Sequence, residues 1–310
     1  MILVVGATGN VGRKVVETLL KDPQNQIRVL ARGKNDWEGS ILPSFRRRSV
    51  DVVVGDVRSQ NTVSKAVLGC KAIINCSGVM RANAEDDLAA INVDGVANLV
   101  DAGQEVGVQR FVQLSCLGAT EHATSLYFST KWEAEEVVRK SSFYWTIFRP
   151  SLIFDRESSL LRILEFWVQR SPLTIVVGSG LNRFQPVSAD DVAACLVQSL
   201  YDKDTVAKTY ELPGPETIDL QSLLSTIALN SGRTARILRI PSFLGLPLSA
   251  LIGKLNPRSP IDNNVMAVMT SEMISEDTGI VRKFKIERQR LSRALKAIAA
   301  SRDEEEEDED

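Results

Sequence analysis

The 310-residue sequence predicts an α/β protein: a doubly wound parallel sheet carrying a smaller C-terminal substrate-binding part. Three observations predict it. Short Val/Ile-rich runs alternate with segments of helical spacing through the first 150 residues. The first run stops at a glycine cluster that opens the first helix. After Pro150 the alternation gives way to helical patterns broken by Pro and Gly.

Each element follows in order. Ile2–Val5 is a short apolar run ending at Gly6. The segment 11–20 has helical spacing through Val11, Val15, Val16, Leu19 and Leu20. The next strands are Ile27–Ala31 and residues 50–54. A helix near residues 62–68, a strand at Ala72–Asn75 and a long helix over about 85–105 come next. A strand over 110–115, a helix over 128–140 and a strand over 144–149 complete the series. Buried strands separated by helices mean right-handed βαβ units and a parallel sheet. Beyond Pro150, helical patterns appear at 160–169, 189–201 and 220–229, with short strands near 174–177 and 209–212. A last basic helix is expected over 280–300. The expected division is 1–150 for the nucleotide-binding domain, 151–302 for the smaller part, and 303–310 for a disordered acidic tail.

The charge balance supports that division. There are 37 Lys+Arg and 39 Asp+Glu, a formal net charge of −2, but residues 303–310 are all acidic. Without them 31 acids face 37 bases, so the body carries +6. A mildly basic body suits an anionic small molecule. No dense basic stripe with interleaved aromatics points to nucleic acid. A tail of like charge cannot bury a core.

Composition excludes further classes. The four cysteines, Cys70, Cys76, Cys116 and Cys195, form no CxxC pair, so neither a zinc site nor a disulfide framework is expected. The single histidine, His122, lies in a Thr/Ser-rich loop and reads as a solvated loop residue. No signal-peptide pattern precedes the first strand, and no apolar run of about 18 residues is seen. An intracellular, soluble protein is expected, cytoplasmic or within an organelle after removal of any targeting segment not present here.

Gly6-Ala7-Thr8-Gly9-Asn10-Val11-Gly12 follows the first strand and opens the first helix. Backbone N–H groups at a helix N-terminus can face a pyrophosphate, and glycine leaves room for it. This is the dinucleotide loop of a Rossmann-type sheet. The second strand bears on the cofactor. An acidic residue near its end would bind the ribose 2′-OH of NAD. The sequence has Arg32, Gly33 and Lys34 there instead. A guanidinium can fork onto a 2′-phosphate, so NADP(H) is the expected cofactor. Arg46, Arg47 and Arg48 read as a solvated helix end.

Further motifs appear in order: Gly55-Asp56-Val57, Asn75-Cys76-Ser77-Gly78, Asn92-Val93-Asp94-Gly95, Tyr127-x-x-x-Lys131, Arg149-Pro150-Ser151, and Gln185-Pro186-Val187 before Ala189-Asp190-Asp191-Val192. As an ordered set over about the first 200 residues, they resemble an atypical, extended short-chain dehydrogenase/reductase. The NmrA-like group is the branch of nearest resemblance. It includes relatives of the nucleotide-binding accessory subunit of respiratory complex I. The resemblance implies that Asp56 accepts from the adenine amino group, with Val57 beside the ring. Ser77 and Gly78 lie against the cofactor ribose, and Pro150, Ser151 and Ile153 flank the nicotinamide. Tyr127 is the implied proton donor and Lys131 the implied ribose ligand that lowers the tyrosine pKa.

The pair makes independent chemical sense. Carbonyl reduction needs a hydride on carbon and a proton on oxygen, and a phenol works near neutrality only with a cation beside it. Lysine four residues on lies one helical turn away, on the same face. Two departures stand out. The serine that should polarise the substrate oxygen falls at Ser115 or, in the preferred register, is replaced by Cys116, a weaker donor. Asp155 replaces the usual glycine after Arg149-Pro150.

Three functions follow. The first is an NADP(H)-dependent oxidoreductase acting on a carbonyl or activated alkene. The second is a non-catalytic NADP(H)-binding regulatory or assembly protein. The third, a nucleotide-sugar epimerase or dehydratase, is weakened by the missing acidic ribose ligand. The apolar segment 237–255 reads as a packed helix of the small part. If it instead lines a pocket or rests on a membrane, the substrate is lipophilic.

Overall fold

A computed structural model of the chain describes residues 1–32, 50–81, 87–155, 163–165, 168–169, 173–234, 236–241, 243, 262–276, 279–284 and 286–295. The expectations for Gly33, Lys34, Arg46–Arg48, the acidic tail, half of segment 160–169 and most of segment 237–255 lie outside the described residues.

The chain divides into two compact units. The first gathers Met1–Pro150, Ala189–Leu212 and Asp277–Ile286. Its centre is a seven-stranded, wholly parallel sheet. In chain order the strands are β1 (Ile2–Val5), β2 (Ile27–Ala31), β3 (Asp51–Val54), β4 (Ala72–Asn75), β5 (Arg110–Leu114), β6 (Tyr144–Pro150) and β11 (Lys208–Leu212). Their spatial order is β11-β6-β5-β4-β1-β2-β3. The order reverses at β1, where it lies between β4 and β2, so the carboxyl ends there open a crevice. This is the expected Rossmann-type α/β sheet.

The strands form where β-branched residues can be buried on both faces. All four residues of β4 and all five of β5 are buried, whereas edge strand β3 exposes both its ends. Helix α1 (Asn10–Leu19) buries Val11, Val15, Val16 and Leu19, the stripe that the spacing predicted. Helices α2 (Gln60–Val67), α3 (Gly95–Glu105) and α4 (Leu126–Arg139) supply Val63, Leu99 and Val138 to one core with Leu3, Ile73, Phe111 and Ile147. Each such side chain contributes about 1.5–3 kcal/mol on burial. Helix α5 (Ala189–Tyr201) packs against α1, and Lys14 pairs with Asp190 at 3.3 Å.

Two helices differ from the sequence expectation. The long helix over about 85–105 has a π-helical turn at Ala90–Asp94 before α3. It brings Asn92 inward, where its amide bonds Val79 O and Thr130 Oγ1 while its carbonyl accepts from Val79 N–H. The expected continuous basic helix over 280–300 is corrected. A five-residue helix, Gly279–Lys283, ends before a non-helical stretch at 286–290, and helix resumes only at 291–295. Arg288 sits at φ +41°, and its guanidinium donates to Pro213 O and Gly214 O. The positive φ at Arg288 is incompatible with a right-handed helix, and the guanidinium contacts hold it in that turn.

The second unit comprises Ser151–Ser188, Pro213–Glu276 and Glu287–Asp310. Among its described residues, three two-stranded ladders pair β7 (Ile153–Phe154) with β10 (Val187–Ser188), β8 (Leu173–Val177) with β13 (Arg236–Ile240), and β9 (Arg183–Phe184) with β12 (Ile218–Asp219). Helix α6 (Leu220–Asn230) is capped by Asp219, which accepts from Ser222 N–H at 2.8 Å. It buries Leu220, Leu223, Leu224 and Ile227. Helix α7 (Asn263–Thr270) buries Val265, Val268 and Met269. Pro150 thus ends the first run of the sheet unit but not the unit itself, because α5 and β11 return to it.

Candidate functional site

The site begins where β1 stops. Gly6 turns the chain at φ +76°, and a Cβ there would stand 2.7 Å from Ser77 N. A Cβ on Gly12 would lie 2.0 Å from Gly6 O, so only glycine lets α1 pack on this turn. Gly9 is different. A Cβ there would meet nothing nearer than Gly6 O at 3.4 Å, an ordinary contact. The protein itself leaves the space at Gly9 unfilled. Gly9 is also the N-cap of α1 and no side chain caps it, which leaves backbone N–H groups turned outward. Thr8 is exposed beside it, Asn10 starts the helix, and Val11 is buried in the core.

Gly6, Thr8 and Gly9 border a cleft of about 160 Å³ at the carboxyl ends of β1 to β4. Arg32, Asp56, Val57, Ser77 and Gly78 line it with them, whereas Asn10, Val11, Gly12, Lys131 and Pro150 are not among its lining residues. Cys76, Val79, Ile91, Leu30, Ala31 and Gly55 line it too. The motifs contained Cys76 and Gly55, yet their roles were not legible, since nothing local marks which apolar residues face a cleft. Gly55 N–H bonds Ala31 O at 2.8 Å and Cys76 N–H bonds Val5 O at 2.9 Å, so both extend the sheet to the rim. Arg32 is exposed at the end of β2. Asp56 receives a fork from Arg58, Nε at 3.0 Å and Nη2 at 2.7 Å, and its carboxyl is held below the ordinary range by that guanidinium. Arg32 pulls in the same direction.

Toward β5 the site becomes polar and buried. Ser77 Oγ donates to Asn75 Oδ1 at 2.6 Å, and Asn75 Nδ2 donates to Gln113 Oε1 at 2.9 Å. Helix α4 is capped by Ser125, which accepts from Phe128 N–H at 3.2 Å. That cap sets the helix phase, placing Tyr127, Lys131, Glu135 and Arg139 on successive turns. Lys131 is buried, and its Nζ donates to Leu114 O at 2.9 Å. Burial pulls its pKa down, while Cys116, Glu135 and Cys76 oppose that shift. Burial first, and the Cys116 thiol second, hold the Tyr127 phenol well above its ordinary pKa.

The two candidates at the end of β5 separate. Ser115 Oγ donates to Glu135 Oε1. Glu135 is fully buried and takes two further bonds from Arg149, Nε at 2.9 Å and Nη2 at 2.6 Å, and one from Arg139. Pro150 O accepts from Leu117 N–H at 2.8 Å within the same unit. Ser151 and Ile153 belong to the second unit. There Ser151 Oγ donates to Met273 O at 2.6 Å, and Ile153 pairs with Val187. His122 is exposed. Among the described residues no group of three His, Cys, Asp or Glu side chains is placed to hold a metal. No described helix is long and apolar enough to cross a membrane.

Comparison with known proteins agrees with this geometry. The profile of a family described as NAD(P)H-binding matches residues 6–203. The chain is 28% identical to a mitochondrial NADH dehydrogenase [ubiquinone] 1 alpha subcomplex subunit 9 of Arabidopsis thaliana, over 87% of this chain and 66% of that protein. It is 29% identical to a ceramide reductase of Caulobacter vibrioides, over 64% of this chain and 60% of the relative. The chain thus spans a little under two thirds of these relatives' lengths. In fold it is similar to the NADPH-dependent quinone oxidoreductase QOR2 of Escherichia coli, with a TM-score of 0.75, 17% identity, and coverage of 96% and 99% of the two chains.

Proposed function

The chain belongs to the NAD(P)H-binding family, in its short-chain dehydrogenase/reductase-like branch, and from that premise we propose that it is an NADP(H)-dependent oxidoreductase acting on a carbonyl or activated alkene. The observation that carries the reading is the half-buried Tyr127 one turn before the buried Lys131 on α4, with Lys131 Nζ beside Gly78 of the cleft.

The residues fit the cofactor. The room at Gly9 and the uncapped N-terminus of α1 suit a pyrophosphate. Asp56 suits an adenine amino group, and Arg32 a 2′-phosphate. Ser77, Gly78 and Lys131 suit the ribose. Pro150, Ser151 and Ile153 are assigned to the nicotinamide. When bound, the nicotinamide supplies or accepts a hydride. The chain's own part is the proton. Burial keeps the Tyr127 phenol protonated near neutrality, so it can give a proton to an oxygen that gains charge. Lys131 favours the phenolate left behind and so limits the cost of that transfer.

A second reading has its own support. Cys116 in place of a hydroxyl beside Tyr127, and similarity to a complex I subunit, favour an NADP(H)-binding accessory or assembly protein, docked on a protein complex or a membrane surface. The epimerase or dehydratase reading is less favoured, because Arg32 stands where NAD-retaining enzymes need an acid. Substitution of Tyr127 by Phe separates the first two. The expected result is loss of NADPH-dependent turnover by about 100-fold or more with NADPH affinity kept. Binding of NADPH with no turnover by either form supports the accessory reading instead.

A further inference from the structure

We propose that the outer face of the β8–β13 ladder, in the second unit, docks on an anionic lipid bilayer. Ile175, Leu238 and Phe243 enter the headgroup layer, and Arg233, Arg236 and Arg239 face the lipid phosphates. The proposal stands whether the cofactor cleft is catalytic or not.

The ladder sorts its side chains by face. β8 and β13 run parallel, with Ile175 opposite Leu238. Side chains opposite each other share a face, and successive residues alternate between faces. Thr174 and Val176 are buried, so their face packs inward. Ile175 and Leu238 stand on the other face, 42% and 43% exposed, and Arg236 is exposed two residues before Leu238. Phe243, three residues beyond the end of β13, is 76% exposed. A single exposed apolar residue is ordinary, whereas a cross-strand pair is a continuous apolar surface.

Charge selects the occupant. Between Asp219 and Asp262 the sequence has no acidic residue and five basic ones, Arg233, Arg236, Arg239, Lys254 and Arg258. Residues 240–253 carry no charged side chain. The three arginines are exposed, and among the described residues no carboxylate pairs with them. Arg239 donates to Gln221 Oε1 at 2.8 Å and Arg233 donates to Gln169 O. Apolar side chains beside cations free of carboxylates match the boundary between acyl chains and anionic headgroups. Each cation near such a surface strengthens binding about fivefold. A guanidinium adds without touching a phosphate, since the attraction reaches about 8 Å at physiological salt. That range makes the chain's net charge of −2 a poor guide, because local charge decides. A second copy is a worse occupant, because a two-fold contact through this face sets the same arginines against each other.

The test floats the full chain with vesicles of phosphatidylcholine alone and of phosphatidylcholine with phosphatidylglycerol in equal amounts. The expected result is binding to the mixed vesicles only, reversed by high salt. Leu238→Asp with Phe243→Asp is expected to weaken binding at least about tenfold. Arg233→Gln with Arg236→Gln and Arg239→Gln is expected to weaken it about 100-fold. Leu68→Asp, at an exposed residue of the first unit, is expected to leave binding unchanged. Every altered side chain is exposed, and thermal melts check that the variants fold. The wild type also decides by itself: no binding to mixed vesicles, or equal binding to neutral ones, overturns the proposal. Binding that survives either combined variant, or that Leu68→Asp weakens as much, overturns it too. A dimer in light scattering that Leu238→Asp with Phe243→Asp splits, without vesicle binding, assigns the face to a second copy and overturns it as well. None of these outcomes bears on the oxidoreductase reading.

Discussion

In the proposed function Arg32 and the three loop glycines have the most at stake, each for a different physical reason. Arg32 has no acidic residue beside it on β2 and lies on the cleft wall with Asp56. A charge-assisted fork onto a phosphate contributes about 1.5–3 kcal/mol, so Arg32→Ala is expected to weaken NADPH binding by at least about tenfold and leave NADH binding nearly unchanged. Titration calorimetry with both cofactors checks this, and equal losses would refute the NADP(H) preference. The glycines divide by the room around them. Gly9→Ala is expected to keep the melting temperature and lose cofactor affinity, because its Cβ fits the protein but fills the ligand's space. Gly12→Ala drives a methyl into Gly6 O and is expected to cost about 1–3 kcal/mol of stability. Thermal melts paired with NADPH titrations separate the two. A Gly9→Ala protein that binds NADPH normally would remove the pyrophosphate from this loop.

At the scale of elements, α4 does two jobs with one face. Its first turns present Tyr127 and Lys131, and its next turns bind the ends of β5 and β6 through Glu135. Arg139 and Arg149 also sit over the Trp132 ring, at 4.9 and 5.5 Å from its centroid. Removing the buried carboxylate takes both ion-pair contacts from Arg149, while Arg139 keeps Glu136 at 2.7 Å. Glu135→Ala is therefore expected to destabilise the fold by about 3–5 kcal/mol, and Glu135→Gln by less, because the amide oxygen still accepts. Urea titrations followed by Trp132 fluorescence measure the difference. Equal stability of all three forms would mean that the network is no anchor. The helix itself was legible in its spacing, as was the lysine four residues after the tyrosine. The anchor was not, because Ser115, Glu135 and Arg149 lie on three elements and no local pattern links them.

Over the whole molecule, the charged partners give the fold its acid sensitivity. Asp56, Asp202 and Asp219 are all lowered from their ordinary values by partners in the native state. A group with a depressed folded pKa adds stability that is present above its unfolded pKa and is lost as pH falls through the folded one. Melting temperature is thus expected to hold near neutrality and to drop below about pH 4. Melts across a pH series check this, and a melting temperature that rises on acidification would contradict the sign. Lys283 pairs with Asp202 at 2.7 Å and Asp204 at 3.1 Å, so the same protonation loosens the short helix Gly279–Lys283 from the sheet unit.

The sequence alone determined the doubly wound sheet, its strand spans and the phosphate loop. These depend on short continuous apolar runs, on period-3.6 burial and on glycine spacing, all properties of neighbouring residues. It also determined the family, since an ordered set of short motifs survives without coordinates. Only the tertiary structure decided where the Ser115 hydroxyl at the end of β5 goes. That depends on a carboxylate 20 residues away, because Glu135 takes the hydroxyl. Tertiary contacts also returned Ala189–Leu212 to the sheet unit and broke the basic segment at Arg288, whose partners are carbonyls more than 70 residues upstream. Local periodicity fixes what an element is. Hydrogen bonds and burial across elements fix where it goes and which of its groups are left to act.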